Sequence, residues 1–269
     1  FELNVMMPVM AYALLQSVSL LANASTVLAE KCVDGIVANE ARITELLEGN
    51  LSLGTALAPR IGYDAAAIGN HEFDWGPAVL RERMAQAQFP WLAANIVVAG
   101  SDTTPSWIRG TTILERDGVR IGVVGLITEE TPTATKAEYV RGLEFADGAE
   151  TLNRVVPALR AQAVDFVVVV AHAGAVCDDD GANCEGEIID IANTVRHRPD
   201  LIVAGHTHRV VRTRVNGIPI IEAGSYGTRY GVVDLVRVSA DSVATYLHGT
   251  PNVYADVLPP DTAVARIID

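Results

Sequence analysis

The plainest pattern along the chain is three short apolar runs, each ending on a nitrogen-bearing side chain. Residues 64–68 lead into Gly69-Asn70-His71-Glu72-Phe73-Asp74-Trp75-Gly76. Residues 166–171 lead into His172-Ala173-Gly174, and residues 201–204 into Gly205-His206-Thr207-His208. Apolar runs this short, bounded by turn residues, read as buried strands. The stretches between them are helical in period. Residues 77–88 bring Val79, Leu80, Met84 and Ala87 to one face and leave Arg81, Glu82 and Arg83 on the solvated side. Residues 150–163 alternate Leu152, Val155, Val156 and Leu159 with Arg154 and Arg160, and residues 185–196 form a further helix before the third run. Strand–helix–strand alternation predicts parallel crossover units. Open α/β sheets carry ligand sites at the carboxyl ends of their strands.

Other segments read as antiparallel. Asp117-Gly118 joins a strand from Ile113 to one ending at Leu126, and Asn216-Gly217 joins residues 210–215 to 218–222. Both dipeptides are strong hairpin signals. Residues 232–238 and 243–247 add two more strands, and residues 92–97 another, in which Asn95 reads as a strand-end residue. Residues 128–135, rich in Thr, form a polar loop near the ligand-bearing edge. The sheet is therefore mixed, or two sheets stack with helices outside.

The amino-terminal stretch allows two readings. Residues 5–22 are mostly apolar and run into Leu21-Ala22-Asn23-Ala24-Ser25, in the manner of a secretory segment. A basic start is lacking, and Pro8 and Gln16 interrupt the run, which also argues against a membrane span. The reading adopted is a first core strand over residues 1–7 and a helix over residues 25–38.

At 269 residues the chain can bury a full core as one large α/β domain or two small ones. A net charge of −13 argues against a nucleic-acid backbone as partner. It does not exclude a small phosphorylated substrate, because bound metal ions invert the local field. Cys177 and Cys184 flank an acidic loop, Asp178-Asp179-Asp180-Gly181-Ala182-Asn183. They are either a local disulfide, which implies an oxidising compartment, or two free thiols.

Four of the six histidines stand at the three strand ends. In this order and spacing, the three motifs resemble the calcineurin-like metallophosphoesterases, most closely the amino-terminal domain of the 5′-nucleotidases. The likeness runs from about Gly62 to Val236 and includes Glu222-Ala223-Gly224-Ser225-Tyr226-Gly227. It implies a four-layer α/β/β/α sandwich of two mixed sheets. It also implies one domain over residues 1–269, in which residues 251–269 open a linker to a second domain absent from this chain. The implied activity is hydrolysis of phosphate monoesters, 5′-nucleotides above all, with two divalent ions such as zinc or manganese. By the resemblance, Asn70, His172 and His206 bind one ion and His208 the other. His71 with Asp74 stabilises the transition state or protonates the leaving group. A pocket role for Asn95 is implied only by the same resemblance. An extracellular or periplasmic location follows from the family and from the cysteine pair.

The chain departs from the family at three positions. Pro8 and Met10 align with a carboxylate and an imidazole, and Asn50 aligns with the carboxylate that bridges the two ions. Proline has no side-chain donor, and a thioether is a soft ligand poorly matched to such ions. The expectation is a site reduced toward one metal, with Asn50 as a weak neutral neighbour. The alternative reading is a catalytically impaired member that serves as a binding or scaffold domain.

Overall fold

The computed structural model describes residues 63–178, 183–239 and 242–252. The strand expected over residues 1–7, the helix over 25–38, the positions Pro8, Met10 and Asn50, and the tail from residue 253 lie outside the described residues.

The first apolar run forms strand β1 (Ala66–Ala67), and a 3-10 turn over Asn70–Phe73 follows it at once. Helix α1 (Gly76–Gln86) starts with Pro77 in its first turn, where the missing N–H costs nothing. It buries Leu80, leaves Met84 and Ala87 half-buried, and exposes Arg81, Glu82 and Arg83. The chain turns extended at Ala87 (ψ 141°), which ends the helix three residues before Pro90. Strand β2 (Trp91–Leu92) pairs with β1 in parallel.

One continuous strand was expected over residues 92–97, yet the chain breaks between β2 and β3 (Ile96–Val98). Asn95 is the reason. Fully buried, it donates from Nδ2 to the Ile127 carbonyl (2.7 Å) and accepts from the Ile127 N–H at Oδ1 (3.0 Å). A second contact from Nδ2 reaches the Ala146 carbonyl at 3.2 Å. Its amide thus takes the place of a ladder rung, and Asn95 is a structural staple.

Strands β4 (Thr111–Arg116) and β5 (Val119–Ile127) form the expected hairpin, with Asp117 and Gly118 at φ 51° and 80°. That double left-handed turn matches the twist of the strands it joins. Next come helix α2 (Thr131–Ala134), strand β6 (Leu143–Phe145) antiparallel to β3, and helix α3 (Gly148–Arg160). The Asp147 side chain caps α3 by accepting from the Glu150 N–H at 2.7 Å. Strand β7 (Phe166–His172) leads to the small pair β8 (Val176–Cys177) and β9 (Cys184–Glu185), and then to helix α4 (Glu187–Thr194). Cys177 and Cys184 are joined as a disulfide across that pair.

Strand β10 (Leu201–Val203) is followed by the second hairpin, β11 (Val210–Val215) and β12 (Ile218–Ala223), and by the antiparallel pair β13 (Val232–Ser239) and β14 (Ser242–Gly249). The principal sheet has six strands in the order β11-β12-β10-β7-β5-β4. Its inner strands β5, β7, β10 and β12 run parallel, and β4 and β11 pair antiparallel at the edges. The protein is thus a mixed α/β fold built on the predicted crossovers.

Alternate residues of β5 face opposite ways, as pleating requires. Leu126 joins a core with Leu152, Val156, Val169, Ile188 and Ile202, while Ile127 joins a second core with Ile68, Phe73, Leu80 and Ile96. Parallel strands covered on both faces need continuous apolar sequence. The run Phe166-Val167-Val168-Val169-Val170-Ala171 supplies it. Among the described residues no helix is long and apolar enough to cross a membrane.

Candidate functional site

The parallel register of the sheet brings the ends of β7 and β10 side by side, with Val170 opposite Val203. His172 is the last residue of β7, and His206 follows β10 by three positions. Asn70 opens the 3-10 turn after β1. Three segments far apart in sequence therefore deliver their side chains to one place. His172 Nε2 lies 2.8 Å from Asn70 Oδ1 and 3.1 Å from His206 Nδ1. The two rings are 4.9 Å apart between centroids, inclined at 58°.

Burial disfavours the charged form of both imidazoles. Burial, reinforced by His206, His71 and His208, pushes His172 down to about 4. His206 is also lowered, mainly by burial, with Glu130 opposing the shift and His71 and His208 adding to it. A neutral imidazole offers a lone pair, which is what a metal ligand needs. The Asn70 Oδ1 atom is an acceptor, and a single Nε2 proton on His172 would have to serve two neighbours at once. A divalent ion would take lone pairs from all three.

In donor type and spacing the three atoms fit one ion. Gaps of 2.8 and 3.1 Å suit neighbouring ligands of an ion about 2.0–2.1 Å from each imidazole nitrogen. All three donors are uncharged, and among the described residues no group of three or more His, Cys, Asp or Glu side chains is placed to hold a metal. Glu130, just past the end of β5, is the acidic group that His206 senses. Sequence reasoning passed over it, although a residue following a parallel strand belongs at the same edge.

Glycine at position 69 has a steric reason. A Cβ there would stand 2.7–2.8 Å from the His172 ring, so any larger residue displaces the imidazole. The Gly69 N–H donates to Glu72 Oε2 at 2.7 Å, closing the turn that presents Asn70 and His71.

His71 and Asp74 pair as expected. Residues three apart eclipse one another on a 3-10 turn, and His71 Nδ1 lies 2.8 Å from Asp74 Oδ2. A carboxylate only accepts, so the proton of a neutral His71 sits on Nδ1 and its Nε2 is left free. The His71 side chain is 71% exposed, open to a ligand approaching from solvent.

The Gly205-His206-Thr207-His208 turn is strained. His206 and His208 have φ of 83° and 57°. Non-glycine residues held there cost about 1–3 kcal/mol each and cluster at functional sites. The exposed His208 ring packs beside Tyr226, with centroids 6.2 Å apart. Beneath the turn lies Glu222, a carboxylate 1% exposed. Burial raises its proton affinity, against hydrogen bonds from Thr207 and from the Arg209 and Ala175 N–H groups. Neither Thr207 nor Glu222 was assigned a role from the sequence. The available signal was a charged residue ending the apolar run Ile218-Pro219-Ile220-Ile221. The structure thus assembles Asn70, His172 and His206, with His208 and the His71–Asp74 pair around them. Asn50 lies outside the described residues.

The sequence profile of the calcineurin-like phosphoesterases matches residues 41–210. The chain is 29% identical over 222 residues to Endonuclease YhcR of Bacillus subtilis, covering 77% of this chain and 18% of that protein. It is 34% identical over 154 residues to the 5′-nucleotidase of Vibrio cholerae, covering 56% of this chain and 28% of that one. The chain thus spans less than a third of either relative. The crystal structure of a 5′-nucleotidase precursor from Thermus thermophilus superposes with a TM-score of 0.60 at 20% identity, covering 81% of this chain and 44% of that one. At that identity the likeness shows the fold.

Proposed function

The chain belongs to the calcineurin-like phosphoesterase family, and on that premise we propose that it is a hydrolase domain acting on phosphate monoesters, with 5′-nucleotides as its substrate class. The observation that carries this reading is the meeting of Asn70, His172 and His206 within 3.1 Å contacts beside the His71–Asp74 pair. The substrate class draws on the 5′-nucleotidase of Vibrio cholerae among the relatives.

Asn70, His172 and His206 would hold one divalent ion, zinc or manganese, and His208 would contribute to a second. When bound, such an ion lowers the pKa of a coordinated water toward neutrality and polarises the phosphoryl oxygens. The remaining steps belong to the protein. Asp74 accepts from Nδ1 of His71 and fixes the ring, so Nε2 faces the substrate. Protonated at Nε2, His71 delivers that proton to the oxygen of the departing alcohol as the P–O bond breaks. Asp74 stabilises the imidazolium before transfer and holds the tautomer afterwards. Glycine at 69 keeps the His172 ring seated against the turn that carries His71.

The Cys177–Cys184 disulfide supports an oxidising setting, extracellular or periplasmic.

The test is turnover of 5′-AMP and p-nitrophenyl phosphate by the chain loaded with Mn2+, alongside His71→Ala. General acid catalysis contributes about 10²–10⁴-fold, so the variant should lose at least about a hundredfold in kcat. Full turnover in His71→Ala would remove His71 from the mechanism. Absence of metal-dependent turnover in the parent chain would remove the hydrolase reading itself.

A further inference from the structure

His206 and His208 both stand on left-handed backbone, at φ 83° and 57°. Glycine adopts that conformation freely and histidine does not, so surrounding contacts must hold the turn. Thr207, between them, shares its hydroxyl proton among the Ala175 carbonyl at 2.8 Å and the two Glu222 carboxylate oxygens at 2.9 Å each. The N–H of Arg209, directly after the second histidine, donates to Glu222 Oε1 at 3.2 Å. The N–H of Ala175 donates to the same carboxylate. One buried side chain on β12 therefore ties down both halves of the turn and also the segment that follows His172.

Steric fit reinforces the tie. A Cβ at Gly174 would come within 2.3 Å of the Gly205 carbonyl and 2.6 Å of Thr207 Oγ1. The two histidine-bearing turns thus interlock, with Thr207 at their junction. Glu222 hydrogen-bonds to Thr207 and to the backbone, so its influence on the imidazoles runs through the turn that carries them.

We propose that Glu222 and Thr207 are positioning residues that lock the His206-Thr207-His208 turn in its left-handed backbone and so preset both imidazoles for ion binding. The proposal rests on the reading that His206 and His208 face divalent ions. Partners that orient metal ligands from behind typically set affinity by about 10–100-fold.

A buried hydrogen-bond cluster that served stability alone would lower the melting temperature when cut and leave metal affinity unchanged. The experiment separates the two roles on the full chain with three variants: Thr207→Val, which keeps shape and deletes the hydroxyl, Thr207→Ser, which restores it, and Glu222→Gln. Mn2+ affinity is measured by calorimetry, melting temperature on the metal-free chain, and the side-chain resonances of His206 and His208 by 15N–1H NMR. The expected result is a loss of Mn2+ affinity of about tenfold or more in Thr207→Val and Glu222→Gln, with Thr207→Ser within about twofold of the parent. Parent-like affinity in folded Thr207→Val and Glu222→Gln would overturn the proposal. If the parent chain binds no Mn2+, it is the metal reading that fails. The imidazole resonances then decide alone: shifts in Thr207→Val that Thr207→Ser reverses support positioning, and unchanged shifts overturn it.

Discussion

His172 Nε2 stands 3.1 Å from His206 Nδ1, although 34 residues separate the two in the chain. The contact exists because β7 and β10 pair in parallel and end together, and Gly69 leaves room for the His172 ring. Gly69→Ala tests this fit directly. A Cβ 2.7–2.8 Å from the ring has no room, so the imidazole must move. Overpacking of this kind costs about 1–3 kcal/mol. Urea unfolding should show that loss, and Mn2+ calorimetry should show weakened binding. A Gly69→Ala chain that binds Mn2+ as tightly as the parent would mean that the ring position does not govern the site.

Asn95 follows the site motif by about twenty residues but acts as a staple. Asn95→Ala deletes its two bonds to the Ile127 backbone and leaves a buried N–H and carbonyl unpaired. Each such group costs about 1–3 kcal/mol. The expected outcome in urea is a stability loss of about 2–6 kcal/mol, with turnover per folded molecule unchanged below the transition. A variant that keeps its stability but loses turnover would return Asn95 to the pocket.

Glu187, at the start of α4, gives the chain a stability term that depends on pH. Burial raises its carboxyl above 4.5, with Glu129 and Glu130 adding and hydrogen bonds from Thr128 and the Glu129 N–H opposing. The folded chain therefore holds this proton to higher pH than the unfolded chain does. Its contribution is full below 4.5 and is lost as pH rises through the raised value. Glu187→Gln keeps an acceptor for the Glu129 N–H and cannot ionise. Thermal melts should show the variant ahead of the parent at pH 7, with the gap closing toward pH 4. A gap independent of pH would show that ionisation of Glu187 is not its cause.

Asn50 stands, by the family resemblance, where a bridging carboxylate is expected. By that resemblance, Asn50→Asp would add an anionic oxygen to donors that are otherwise neutral. Metal content after dialysis against Mn2+ and Zn2+ should rise toward two ions per chain, and affinity should tighten. No change in either quantity would mean that Asn50 does not occupy the bridging position.

Local periodicity was enough to read most of the elements. The hairpins at Asp117-Gly118 and Asn216-Gly217, the helices after Asp147 and Gly186, and the apolar strand before His172 depend on residues next to one another in the chain. Side-chain alternation and turn chemistry act at that range, so these elements are legible without any fold in hand. The residues that stand at strand ends are legible too, because each motif directly follows its own apolar run. Long-range contacts escaped that reading. Nothing near residue 95 announces that its amide will break a strand to bond Ile127, 32 residues away. Nothing near Thr207 announces Glu222 beneath it, or Glu130 beside His206. Those relationships depend on strand order and parallel register, which follow from packing two apolar cores against opposite faces of one sheet. It is that packing which makes Asn70, His172 and His206 meet, and which puts Glu222 beneath the turn carrying His206 and His208.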